Sequence, residues 1–355
     1  MSITKKLFDI TKDGQNVYSY ILTNIHGSSV EILDFGGIIR SIIVPDRTGK
    51  MTDVVIGFDT IDEYLTNHDY FGALIGRYCN RITNGEFQLN GETIKLNKND
   101  NGRHTLHGGF NGFDQRIWEV KANETASSDE LELSLFSPDG DENFPGNLNV
   151  KVTYTFDRNN NLLIEYCARS DKDTVVNFTN HTYFNLNGHD SGCVCSHTMQ
   201  ILSSRFTPCD NTCGVTGEIK DVDSTYFDFR SPRSLADGLN NISDSEDLTN
   251  GNGYDHNFIF DKHSGEYAGC LKLLGNKSGI KVSLSTDQPG IQIYTGNFIK
   301  DGMKGKGGAS YVNRAAVCLE TQHFPDSVNH PDWPTTVLKA GEEFKTVTGY
   351  LFTTV

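Results

Sequence analysis

Short runs of strand-forming residues recur from one end of this chain to the other, and little helical periodicity competes with them. Leu131-Glu132-Leu133-Ser134-Leu135 and Val150-Lys151-Val152-Thr153-Tyr154 alternate strictly, which turns one face to a core and the other to water. Strands are expected over 17–22, 29–33, 38–44, 54–58, 131–136, 150–156, 162–167, 280–285, 291–294, 316–320 and 344–352. Asn84-Gly85, Asn90-Gly91, Asp139-Gly140 and Ala340-Gly341 are turn signals between them. Short helices are expected only around 60–65 and 234–239. Strands without alternating helices imply an all-β fold, a large antiparallel β-sandwich, and not a parallel α/β sheet.

The 355 residues contain no Pro-, Ser- or charge-rich stretch that would separate two folding units, so residues 1–355 read as a single domain. The formal charge of −15 repels phosphate backbones and anionic lipid surfaces, which excludes nucleic acid and membrane as expected partners. Two lysines open the chain with no apolar stretch behind them, and no window reaches the length of a membrane span. A cytoplasmic protein is expected. Its eight cysteines then read as free thiols, because Cys193, Cys195, Cys209 and Cys213, with His197 nearby, lack the paired knuckles of a zinc site. Gly251-Asn252-Gly253 has His256 where a dinucleotide fingerprint needs glycine, and Lys304-Gly305-Lys306-Gly307-Gly308 lacks the end of a phosphate loop. Both read as turn-forming or mobile loops, and neither a cofactor nor a metal is expected.

Six segments have a different character. Asn177-Phe178-Thr179-Asn180-His181-Thr182-Tyr183-Phe184-Asn185-Leu186 mixes amides, hydroxyls and aromatics around one histidine. Such a mixture suits a neutral polyol: aromatic faces cover the C–H side of a sugar, amides pair with its hydroxyls, and imidazole moves protons near neutrality. Gly76-Arg77-Tyr78-Cys79-Asn80-Arg81-Ile82 adds an amide and two guanidinium groups. In Thr105-Leu106-His107-Gly108-Gly109, two glycines permit close approach of backbone to a ligand. Gly253-Tyr254-Asp255-His256-Asn257-Phe258 offers a carboxylate, and the 288–298 segment supplies Gln292. In Cys318-Leu319-Glu320-Thr321-Gln322, a lone carboxylate sits on an otherwise apolar strand, where it must pair or work.

Taken in order, these motifs, with Ser137-Pro138-Asp139-Gly140, Phe144-Pro145-Gly146 and Phe324-Pro325-Asp326, resemble those of the aldose 1-epimerase (galactose mutarotase) family over nearly the whole chain. The resemblance implies a β-sandwich with an open cleft and cofactor-free interconversion of the α and β anomers of free aldohexoses such as galactose and glucose. It implies Glu320 as general base, His181 as general acid, and Asn80, Arg81, His107, Asp255 and Gln292 as sugar-contacting residues. The two proton-transfer groups are expected on opposite sides of the anomeric carbon. Three rivals stay open: a hexose-6-phosphate 1-epimerase using Arg77 and Arg81, a glycoside hydrolase using Asp255 with Glu320, and a non-catalytic carbohydrate-binding module. The monosaccharide is the expected partner, to a monomer or a homodimer.

Overall fold

The computed structural model describes every residue except Met1, His68 and Ala126. Its largest element is a nine-stranded antiparallel sheet. The strand order is Glu119–Glu124, Ser128–Ser137, Leu148–Asp157, Asn161–Ser170, Glu343–Thr354, Ile280–Thr286, Ala268–Leu274, Thr198–Ile201 and Arg233–Ser234. Alternation decides the register. Leu148, Val150, Val152, Tyr154 and Phe156 are buried, whereas Asn149 and Lys151 between them are exposed.

A six-stranded sheet runs Tyr183–Phe184, Val317–Gln322, Gly290–Tyr294, Asp255–Ile259, Arg205–Thr207, Lys220–Asp221. A five-stranded meander, from Ser2–Ile10 to Met51–Asp53, forms a third sheet. One continuous apolar cluster joins all three, with Leu133, Val152 and Leu284 from the nine-stranded sheet, Ile291, Ile293 and Leu319 from the six-stranded one, and Val30 and Ile42 from the meander. Helix is confined to short turns such as Ile61–Thr66, whose N-terminus is closed by a capping box between Thr60 and Glu63.

One local expectation fails. The 54–58 run is buried but forms no strand; it carries a single bridge, Val55 to Phe184, and its amides find other acceptors, Val54 N–H donating to Ile42 O and Ile56 N–H to Tyr183 O. An apolar run buried on both sides carries no period that separates strand from covered coil. The 304–308 segment is anchored, because buried Lys306 donates to Asp53 Oδ2 at 2.7 Å and to the carbonyls of Arg40 and Val55. Among the described residues no helix is long and apolar enough to cross a membrane.

Candidate active site

Every residue of Val317–Gln322 is buried, so both faces of this strand are covered. Odd positions face the core: Val317 and Leu319 join the main cluster, and Thr321 Oγ1 meets Thr348 Oγ1 at 2.6 Å. Even positions, Cys318, Glu320 and Gln322, therefore share the opposite face. Pairing places Glu320 opposite Gln292 and Cys318 opposite Tyr294, while Asp255 lies opposite Tyr294 on the next strand. Strand register alone gathers polar side chains from three distant segments.

His181 is delivered by the link between Thr179–Asn180 and Tyr183–Phe184. Its backbone is clamped twice, N–H to Ala73 O at 2.8 Å and O from Gly72 N–H at 3.0 Å. The ring stacks on Tyr183 at 5.0 Å, and its Nε2 lies 3.7 Å from Glu320 Oε1. His181 is 5 % exposed and Glu320 1 %. Burial lowers the His181 imidazole to about 4. The same burial, reinforced by the charge of Asp255 and opposed by Arg81, pushes the Glu320 carboxyl well above the usual range. Among the described residues nothing hydrogen-bonds Glu320 Oε2, which leaves a buried acceptor to be met by a ligand.

The two groups thus stand side by side, with Nε2 and Oε1 3.7 Å apart. Side-by-side placement reaches both oxygens of a hemiacetal, because the C1 hydroxyl and the ring oxygen are bonded to one carbon.

Around this pair lies a cleft of about 200 Å³. Asn80, Arg81, His107 and Asp255 line it with His181 and Glu320, so six of the seven expected residues converge. Gln292 does not line it. Its amide instead donates to Asp255 Oδ1 at 2.7 Å and holds that carboxylate from behind. Arg81 is fixed by Asp100 at 2.7 Å. His107 accepts the Asn80 N–H at Nδ1, 3.2 Å, and Asn80 O accepts the His107 N–H in return. Tyr70, Asp69, Tyr183, Tyr294 and Phe298 also line the cleft. The 177–186 and 288–298 segments carried three of these as unassigned aromatics; Asp69 and Tyr70 follow a stretch with no motif, and no sequence signal marked them.

Several motif residues have structural roles. Asn180 donates to Gly72 O, Asn177 to His323 O, and Asn185 to Gly192 O and Ala315 O, so the amides of the opening run brace backbone. A Cβ on Gly108 would stand 2.0 Å from Gly76 O, so this glycine permits backbone to approach backbone, and not a ligand. Arg77 is buried, with its donors on Ser137 Oγ and the carbonyls of Ser137, Pro138 and Pro145. It is not available to a phosphate.

His107, His181 and Glu320 bring metal-type ligand atoms within 4.8 Å of one another. The tautomer of His107 does not suit a metal: Nδ1 accepts an N–H, so the ring proton sits on Nε2, the nitrogen a cation would need bare. Cys193 and Cys195 are joined in a disulfide, contrary to the expectation of free thiols, because a 3₁₀ turn sets their Cα atoms 5.4 Å apart. Neighbouring His197 is occupied by Leu186 N–H and Val194 O.

Comparison with known proteins identifies the family. The sequence profile of the aldose 1-epimerase family matches residues 18–351. A galactose mutarotase of Sus scrofa is 41 % identical over 99 % of both chains, and an aldose 1-epimerase of Haemophilus influenzae is 37 % identical over 96 % of this chain and 97 % of its own. The crystal structure of an aldose epimerase homologue from C. elegans superposes with a TM-score of 0.85 at 31 % identity, covering 99 % of this chain and 100 % of that one. The chain belongs to the aldose 1-epimerase family, isomerases that interconvert the anomers of a sugar.

Proposed function

We propose that Glu320 and His181 perform this mutarotation on free aldohexoses, galactose and glucose among them, within one catalytic unit spanning residues 1–355. The observation that carries it is the buried pair of His181 Nε2 and Glu320 Oε1, 3.7 Å apart at the floor of a sugar-sized cleft. Glu320 takes the proton of the C1 hydroxyl while His181 Nε2–H donates to the ring oxygen; the C1–O bond breaks and the free aldehyde forms. Glu320 now holds a proton beside the nitrogen that gave one up. Rotation about C1–C2 presents the other aldehyde face, and the reverse transfers close the ring. Each positioned group contributes about a hundred- to ten-thousand-fold.

His181 acts as a neutral donor in this scheme, since burial holds its imidazole near 4. A neutral imidazole can polarise an oxygen on which negative charge develops. Asn80, Arg81, His107 and Asp255 orient the hydroxyls, and Gln292 orients Asp255. The occupied guanidinium of Arg77 argues against the hexose 6-phosphate alternative, because Arg81, itself paired with Asp100, is then the sole arginine at the cleft among the described residues. Asp255 and Glu320 leave His181 idle in a hydrolase scheme, and a binding module has no use for the acid–base pair. The remaining proposals are a cytoplasmic enzyme, acting as monomer or homodimer, with no nucleic-acid or membrane partner.

Polarimetry of fresh α-galactose and α-glucose tests the assignment. Acceleration that vanishes in Glu320→Gln supports it; binding without acceleration returns the chain to a carbohydrate-binding role.

A further inference from the structure

The two ring nitrogens of His181 have different neighbours. Nε2 faces Glu320 Oε1, and Nδ1 lies 3.4 Å from Cys318 Sγ. An ionised carboxylate only accepts hydrogen bonds, so when Glu320 is charged, as a base must be, the proton of a neutral imidazole belongs on Nε2. Nδ1 is then a bare lone pair in a fully buried place, where an unmet acceptor is costly. The nearby Tyr183 hydroxyl does not serve it, because it donates to Asp69 O at 2.8 Å. The Cys318 thiol is within reach, is itself 0 % exposed, and carries one proton.

We propose that Cys318 is a positioning residue whose S–H donates to His181 Nδ1 and so fixes the tautomer with its proton on Nε2, toward Glu320 and the sugar. Cys318 and Glu320 are two residues apart on the same face of Val317–Gln322. One strand therefore carries the base and also sets the tautomer of the acid. Asn80 N–H treats His107 in the same way, so both histidines present Nε2–H donors to the cleft. Burial keeps the thiol far from ionising, and the sulfur orients the ring without passing its proton on. The catalytic meaning of this contact rests on the acid–base assignment above, but the hydrogen bond itself does not.

The test uses full-length protein with nitrogen-15 histidine, in alkaline buffer that ionises Glu320, with His181→Asn to identify the His181 signals. In the wild type, Nε2 is expected to resonate as a protonated nitrogen and Nδ1 as a bare one. Cys318→Ala should mix the tautomers and lower kcat by about tenfold with KM little changed, the lower end of the usual cost of losing a group that orients a site histidine. Cys318→Ser keeps a donor and should restore both the single tautomer and most of kcat. A protonated Nδ1 in the wild type overturns the proposal whatever the kinetics. So does a Cys318→Ala enzyme with wild-type tautomer and rate, or a serine variant as impaired as the alanine one. If the tautomer is as stated but His181→Asn turns over normally, the acid assignment fails and the hydrogen bond stands.

Discussion

Gln292 and Glu320 stand directly opposite each other on paired strands, yet the Gln292 amide turns to Asp255 and donates to it at 2.7 Å. The amide that would most easily have muted the Glu320 carboxylate is thereby committed elsewhere, and among the described residues Glu320 Oε2 has no hydrogen-bond partner.

Asp255→Ala is expected to lose roughly 1–3 kcal/mol in kcat/KM, since a sugar hydroxyl is left without its acceptor. Gln292→Ala should lose less, about 1 kcal/mol, because it only loosens Asp255. In the double variant the Gln292 change should add almost nothing, and a coupling energy near zero in that cycle would place Gln292 in direct contact with the sugar.

Glu320→Gln keeps size and hydrogen-bonding groups but removes basicity. Mutarotation should fall by about a hundred- to ten-thousand-fold while calorimetric sugar binding persists. Near-normal turnover in this folded variant would move the base to Asp255.

The pH profile follows from the two opposite shifts. Glu320 must be ionised to act and its carboxyl is raised, so activity is lost on the acid side while the pH is still above the ordinary carboxylate range. His181, held near 4, is neutral throughout that interval and contributes no alkaline decline. A rate measured against pH that falls between 6 and 8 as the pH rises would mean that an imidazolium is the acid.

Arg77 offers a stability test. Arg77→Met removes four hydrogen bonds and strands the carbonyls of Ser137, Pro138 and Pro145, so denaturant unfolding should show a loss of about 3 kcal/mol. Specific activity of the folded fraction should not change, and glucose 6-phosphate should remain a poorer substrate than glucose with either residue. A change in sugar preference would return Arg77 to the site.

Exhaustive chelation should leave turnover intact, because the proton on His107 Nε2 occupies the nitrogen a cation would require. A loss reversed by one divalent ion would show that the His107, His181, Glu320 cluster is a metal centre.

Long alternating strands were readable because period-two burial is a local property, as in Leu148–Asp157. Ser2–Ile10 was not, since this exposed edge strand carries polar residues such as Lys5 and Lys6 where a buried strand would carry apolar ones. At the site, Glu320 was visible as a charge that an apolar strand does not tolerate idly, and His181 as the single imidazole in its run. The tie between Gln292 and Asp255, the bracing roles of Asn177, Asn180 and Asn185, and the contributions of Asp69 and Tyr70 depend on contacts between residues far apart in the chain. Side-chain type does not distinguish an amide that meets a sugar from one that meets a carbonyl.

The strand Val317–Gln322 is covered on both faces, and this bears on how such a chain can change over time. Inserting or deleting a single residue ahead of Glu320 within it would swap the two sets of side chains, driving a carboxylate into the apolar layer and Leu319 into the cleft. Packing and chemistry would fail together, in one step and with no neutral intermediate. Length variation should accumulate instead in surface connections, where added residues cost little closure entropy. The spacing between Cys318 and Gln322 should accept substitutions, one at a time, long before it accepts a change in count.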